Sequence, residues 1–322
     1  MDFKAVHTLI ADDLRATDQL ILGSLASDIV LINQIGRYMI ASGGKRLRPI
    51  LVLLSARAFG YADQQHIDLA AIIECIHTAT LLHDDVVDGS EQRRSQETAN
   101  QVWGNAASVL AGDFIYSHTF RMMVALDNMR VMDILSTATN RIAEGEVMQL
   151  MSRHDPCLDE PGYLEIIARK TATLFSAGVR LGAVISQSDA HQEQACADYG
   201  YHLGIAFQIV DDMLDYGASS QQIGKNIGDD LAEGKLTLPV LRALQMSDAV
   251  TQERLRQIIQ GGCVDQLDEV VAAIQSTDAF AYCQRLAQQH ADLAQQAIQS
   301  LPDTVYRTGL SSLAEFAVTR QS

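Results

Sequence analysis

Two copies of one acidic pattern, Asp84-Asp85-Val86-Val87-Asp88 and Asp211-Asp212-Met213-Leu214-Asp215, each close a long apolar run. Apolar residues recur in those runs at three- and four-residue intervals, which places each motif at the C-terminal end of a helix. There the first and last Asp share one face, a turn apart, and repel each other. Negative charge at a helix C-terminus also opposes the macrodipole. A solvated last turn explains one such motif poorly and a repeated one worse, so a cation must compensate. Hard oxygen ligands in a partly hydrated site fit Mg²⁺, which one or two carboxylates typically hold together with substrate phosphates. Two such clusters facing each other can grip a diphosphate through several ions.

The remaining sequence is also helical in character. It has five prolines in 322 residues, much Ala, Leu and Gln, and essentially no strand signal. The pattern predicts helices at 3–22, 26–41, 49–58, 66–87, 106–126, 131–151, 161–170, 172–187, 191–213, 236–245, 250–259, 264–274, 278–299 and 304–319. No linker or repeat period divides the chain, so residues 1–322 are expected to form a single all-helical domain. The longest polar interruption, Tyr216 to Gly234, directly follows the second motif, and loops of this length are often functional. Gly178/Gly182 and Gly200/Gly204 are read as close helix packing.

Composition narrows the function classes. A formal net charge of −16 disfavours nucleic acid as a partner. The five Cys are scattered without CxxC spacing, which suggests neither a disulfide framework nor a zinc site and fits a reducing cytoplasm. Met1-Asp2-Phe3-Lys4 runs into an acidic stretch, so no signal peptide is expected, and no apolar run reaches spanning length.

Against this acidic background the cations stand out in groups. Arg93-Arg94 follow the first motif, and paired guanidinium groups suit bidentate contacts to phosphate. Gly43-Gly44-Lys45-Arg46-Leu47-Arg48-Pro49 can be a helix end followed by a helix start. A second phosphate site also explains its three cations. Lys170-Thr171 lie between two expected helices, Lys225 lies in the long polar loop and Lys235 directly follows it. Together they can neutralise a leaving diphosphate.

These ordered motifs, together with Leu81-Leu82-His83 before the first acidic motif, Gly112-Asp113, Phe207-Gln208-Ile209-Val210 before the second and Gly224-Lys225-Asn226-Ile227-Gly228-Asp229-Asp230-Leu231 after it, resemble the all-trans polyprenyl diphosphate synthases over almost the whole length. The resemblance implies an all-α bundle around a deep central cavity, usually homodimeric, with the Asp motifs at its mouth. It implies that Lys45, Arg48, His77 and Arg94 bind isopentenyl diphosphate. Arg93, Lys170, Thr171, Gln208, Lys225 and Lys235 bind the allylic diphosphate, such as farnesyl diphosphate. Asp84, Asp88 and Asp211 are the implied principal Mg²⁺ ligands, with Asp85, Asp212 and Asp215 supporting them. Ionisation of the allylic substrate in a water-poor pocket, attack by the isopentenyl double bond and loss of a proton then extend the product by one unit. Transient membrane contact during product release and supply of quinone side chains are further expectations.

A terpene cyclase also ionises allylic diphosphates but needs no second diphosphate site, and a non-catalytic partner subunit is expected to have lost one Asp motif. Ala79 and Thr80 lie about one helical turn before Asp84. Family members making short products commonly carry aromatic residues there, so these small side chains imply a long product. Met123 or Phe120 on the next long helix is the candidate for the following barrier.

Overall fold

Local capping chemistry starts a few of the helices. In this computed structural model, which describes residues 1–41, 43–93, 96–217, 228–262 and 264–320, Asp2 caps α1 (Phe3–Leu9) by accepting the Ala5 N–H at 2.7 Å. The helices α2 (Ala11–Ser24), α3 (Val30–Ala41), α4 (Leu47–Ala58) and α5 (Gln65–Val87) follow. A minimal antiparallel hairpin, β1 (Gln92–Arg93) and β2 (Gln96–Glu97), pairs Arg93 with Gln96. After it come α6 (Ala99–Trp103), α7 (Asn105–Ala125), α8 (Met129–Met151) and α9 (Glu160–Ile167). Asp159 caps α9 through the Gly162 N–H at 2.9 Å. A π-helical turn, Ala168–Ala172, precedes α10 (Thr173–Ile185) and α11 (Ala190–Asp215). The rest are α12 (Asp229–Ala232), α13 (Leu238–Met246), α14 (Ala249–Gly261), α15 (Leu267–Ser276), α16 (Ala279–Ala297) and α17 (Val305–Thr319).

The long helices fall where the apolar period places them, and the departures have local causes. Ile10 leaves helical geometry at φ −121° and splits the expected first helix. The hairpin and α6 are too short to show a period. Lys170 and Thr171 were expected between helices and instead sit on the π turn, and α12 interrupts the long polar loop. Arg94 and Lys225 lie outside the described residues.

Chain contacts gather into two compact units. One comprises Met1–Thr139, Leu174–Gly200 and Ala297–Leu313. The other comprises Asn140–Thr173, Tyr201–Gln296 and the residues from Ala314 on. Both are discontinuous in sequence, and α8, α11 and α17 each contribute to both.

The core of the first unit is built on α4 and α5. Every side chain from Ile50 to Leu54 is sealed from solvent, and α5 is buried on nearly all sides between Ile67 and Ala79, as expected for a helix apolar around its circumference. Glycines permit this closeness. A Cβ at Gly182 would lie 2.6 Å from the Ala56 nitrogen, and one at Gly200 would lie 2.6 Å from the Phe175 carbonyl oxygen. The packing role read for these residues is therefore borne out.

In the second unit, Ile205, Ile209 and Val210 of α11 share a buried cluster with residues of α13, α14 and α16, among them Leu238, Ile258 and Ala287. Two glycines flank the π turn. A Cβ at Gly204 would come within 2.5 Å of Ala172 Cα, and one at Gly145 within 2.8 Å of the Lys170 nitrogen. Among the described residues no helix is long and apolar enough to cross a membrane.

Candidate active site

The first acidic motif closes α5 as its periodicity demands. Asp84 and Asp85 occupy the last turn and Asp88 is the C-cap, its N–H bonded to the Asp84 carbonyl at 2.8 Å. The three carboxylates are not equivalent. Asp85 is buried, and Arg93 on the hairpin donates to its Oδ1 from Nε at 2.9 Å and from Nη2 at 2.7 Å. Burial raises the Asp85 pKa, Arg93 opposes the rise, and the charges of Asp84 and Asp88 add to it. Asp84 and Asp88 remain partly exposed. Just before them, His83 occupies space that Gly112 leaves open. A Cβ at Gly112 would lie 2.4 Å from the imidazole, which also approaches Asp113 at 3.3 Å. This gives Gly112-Asp113 a steric reason.

The basic cluster is also in the first unit. Gly43 and Gly44 take φ of 72° and 142°, conformations that side chains other than glycine rarely adopt, and Arg46 caps α4 at φ 49°. Arg46 then turns inward, bonding Glu74 at 2.6 Å and approaching Asp18 at 3.4 Å. Its charge is thus used to hold the fold together, so the three cations of this stretch do not act alike. Arg48 meets His77, with 3.0 Å between Nη1 and Nε2, and its guanidinium lies 4.7 Å from the centre of the Phe175 ring. Because a guanidinium can only donate, His77 Nε2 accepts and the neutral ring carries its proton on Nδ1.

Within the second unit the acidic motif, the π turn and the Lys235 segment converge. Tyr163 donates to Asp212 Oδ2 at 2.6 Å, and Gln208 donates from Nε2 to Asp212 Oδ1 at 2.7 Å. Gln208 Oε1 in turn accepts the Thr171 hydroxyl at 2.9 Å. Burial, then the charge of Asp230, pushes the Asp212 pKa up to about 8. Lys170, held beside Thr171 by the π turn, donates to Glu146 at 2.7 Å and to Gln149 at 2.8 Å on α8. Asp215 is buried and accepts the Asp230 N–H at 3.3 Å. Asp211 is 37% exposed. A cavity of about 80 Å³ opens between these groups, lined by Gln149, Tyr163, Gln208, Asp212, Asp230 and Lys235 among others.

Lys235 pairs with Glu233, and Gly234 brings the backbone close to His154, whose ring a Cβ there would approach to 2.5 Å. The buried thiols offer no competing nucleophile. Burial pushes Cys75, Cys196 and Cys283 up to about 12.

Residues 29–275 match the family described as polyprenyl synthetase. The chain belongs to this family. It is 46% identical over 321 residues to octaprenyl diphosphate synthase of Escherichia coli (strain K12), with 99% of each chain covered. It is 42% identical to the all-trans-nonaprenyl-diphosphate synthase (geranyl-diphosphate specific) of Rhodobacter capsulatus, again over 99% of each chain. Among solved structures, polyprenyl synthase from Caulobacter crescentus CB15, complexed with calcium and isoprenyl diphosphate, aligns with a TM-score of 0.96 at 41% identity. That match covers 100% of this chain and 98% of the other. This polyprenyl synthetase is accordingly an all-α prenyltransferase.

Several residues of the synthetase site carry no signal in the sequence. Tyr163 precedes Lys170 by almost two turns without any motif, and Arg320 is a lone cation near the C-terminus. Glu146 and Gln149, three residues apart on α8, share a face that sequence spacing alone does not tie to Lys170. Of the product-length candidates, Ala79 is buried in a cluster with Ala111 and Ile115, and Thr80 is partly exposed and donates to the His77 carbonyl at 2.8 Å. Met123 is buried, whereas Phe120 is 37% exposed.

Proposed function

We propose that this prenyltransferase is a Mg²⁺-dependent long-chain all-trans polyprenyl diphosphate synthase that condenses isopentenyl diphosphate repeatedly onto an allylic primer such as farnesyl diphosphate, with octaprenyl diphosphate as product. The observation that carries this reading is that Lys235, Gln149, Gln208 and Asp212 line one small cavity, with Lys170 bonded to Gln149 and Thr171 to Gln208. A cation, two hydrogen-bonding side chains and a carboxylate form a suitable lining for a metal-bound diphosphate.

The donor set fits the metal. Asp84, Asp88 and Asp211 are hard oxygen donors that keep some exposure, while Asp85 and Asp212 are buried and bonded to protein partners. Asp84 and Asp88 of the first motif and Asp211 of the second would be the Mg²⁺ ligands, while Asp85 and Asp212, with Asp215, keep the ends of the motifs in place. When bound, the ion supplies Lewis-acid stabilisation of the leaving diphosphate.

Lys170, Lys225 and Lys235 neutralise the allylic diphosphate as the carbon–oxygen bond breaks, Thr171 and Gln208 orient it, and Arg93 contributes while securing Asp85. Lys45, Arg48, His77 and Arg94 hold isopentenyl diphosphate, whose double bond attacks the allylic carbon. Buried apolar helices keep water from the cation. The departing diphosphate takes the proton that is lost, so no side chain acts as a nucleophile. The Arg48–His77 pair favours elongation over cyclisation, because a cyclase has no second diphosphate to bind.

The enzyme works in the cytoplasm and as a homodimer, and the exposed Leu110, Phe120 and Val124 of α7 support the pairing. Its apolar product leaves through transient membrane contact and serves as a quinone side chain. Diphosphate release by the purified protein, with Mg²⁺, farnesyl diphosphate and isopentenyl diphosphate each omitted in turn, tests the reading. Release that does not require isopentenyl diphosphate would overturn it.

A further inference from the structure

Tyr163 belongs to none of the motifs, yet it ends a directed chain of hydrogen bonds running through the second unit. Its ring is packed in the core with only 3% of the residue exposed, and its hydroxyl gives its proton to Asp212 Oδ2 at 2.6 Å. The other carboxylate oxygen takes the Gln208 amide N–H at 2.7 Å, and the Gln208 oxygen takes the Thr171 hydroxyl at 2.9 Å. Each link constrains the next. A carboxylate held at both oxygens cannot rotate, a fixed carboxylate selects the nitrogen end of the amide, and the amide oxygen is left facing Thr171.

A glutamine amide is nearly symmetric in shape, so its orientation depends on such partners. Without the Tyr163 hydroxyl, Asp212 Oδ2 loses a buried donor, and the carboxylate can turn away from Gln208. Gln208 is then free to flip and present its nitrogen to Thr171, whose hydroxyl loses its fixed acceptor. Lys170, the neighbour of Thr171, is anchored separately by Glu146 and Gln149, so this disturbance falls on Thr171 and Gln208.

We infer that Tyr163 is a positioning residue for the allylic diphosphate, fixing Asp212 and through it the orientation of Gln208 and Thr171. The inference rests on the proposed role of Gln208 and Thr171 in binding that substrate. Tyr163 lines the same cavity, but its hydroxyl is given to Asp212, so it acts through Asp212 and Gln208.

The test is Tyr163→Phe, which keeps the buried ring and removes only the hydroxyl. Calorimetry with an unreactive thiolo analogue of farnesyl diphosphate, in Mg²⁺ and without isopentenyl diphosphate, should show binding weakened about tenfold, the scale of one lost hydrogen bond. Steady-state KM for farnesyl diphosphate should rise similarly while KM for isopentenyl diphosphate holds. In a Gln208→Leu background the same Tyr163→Phe change should have little further effect, because the chain is already broken.

Equal binding of the analogue by wild type and Tyr163→Phe would overturn the inference while leaving the proposed function intact. So would an additive effect in the Gln208→Leu background, equal changes in both KM values, or loss of helical circular dichroism in Tyr163→Phe, each of which marks a general structural role. Failure of the wild-type protein to bind the analogue would overturn the functional reading, and the inference with it.

Discussion

Asp211, the first carboxylate of the second motif, accepts a hydrogen bond of 3.0 Å from Nη2 of Arg320. The same guanidinium nitrogen donates to the Phe207 carbonyl at 2.8 Å and the group stacks 3.8 Å from the centre of the Phe207 ring. With its side chain 4% exposed, Arg320 is a buried counter-ion for a proposed metal ligand that is itself 37% exposed.

A divalent ion at Asp211 would therefore bind against a nearby positive charge. Two unit charges 4 Å apart interact by about 1 kcal/mol even in water, so Arg320→Met should tighten Mg²⁺ binding about fivefold or more. Calorimetric titration without substrates measures this. Weaker binding in the variant would mean that Arg320 serves chiefly to hold Asp211 in place.

In the first motif the proposed metal ligand and the stabilising carboxylate are different residues. Asp84→Ala should lower turnover by orders of magnitude with little change in Tm, since it removes a partly exposed proposed ligand from a repelling cluster. Asp85→Ala should lower both, because it strips the buried end of the Arg93 pair. Thermal melts beside turnover at saturating Mg²⁺ decide it, and equal Tm losses would contradict the division of labour.

Much of this was legible in the sequence because helical period and carboxylate spacing are local. The ends of α5 and α11 follow from apolar runs that stop at Asp motifs, and the packing role of Gly200 and Gly204 follows from their spacing. The π turn was not legible, since Ala168–Ala172 has no composition that distinguishes it from an α-helical turn. Its position depends on Gly145 and Gly204, which are far away in sequence. Arg320 and Tyr163 were missed for the same reason, as their partners lie 109 and 49 residues away. Arg46 was misjudged because charge density in a sequence does not show which cation turns inward toward Glu74.

That distinction gives a further expectation. Lys45→Ala and Arg48→Ala should each raise KM for isopentenyl diphosphate by about tenfold or more, the effect of a lost charge-assisted hydrogen bond, with KM for farnesyl diphosphate little changed. Arg46→Ala should instead destabilise the protein by about 3 kcal/mol, because it leaves Glu74 buried and unpaired. Denaturant unfolding and substrate titration separate the two. A selective effect of Arg48→Ala on farnesyl diphosphate would reverse the site assignments.

Product length tests the region beneath the first motif. Ala79→Tyr should shorten the product, but Ala79 is fully buried, and overpacking there costs about 1–3 kcal/mol. Thr80→Phe, at a partly exposed position, should shorten the product with a smaller loss of Tm. Unchanged products from folded, active forms of both variants would show that the growing chain does not pass this turn of α5.

Chromatography of the dephosphorylated products, sized against polyprenol standards, is the decisive measurement. Wild-type protein with Mg²⁺, farnesyl diphosphate and excess isopentenyl diphosphate should give an all-trans ladder ending at octaprenol, with no product when isopentenyl diphosphate is withheld. A cyclic hydrocarbon formed from farnesyl diphosphate alone, or a ladder that stops after one addition, would contradict long-chain elongation.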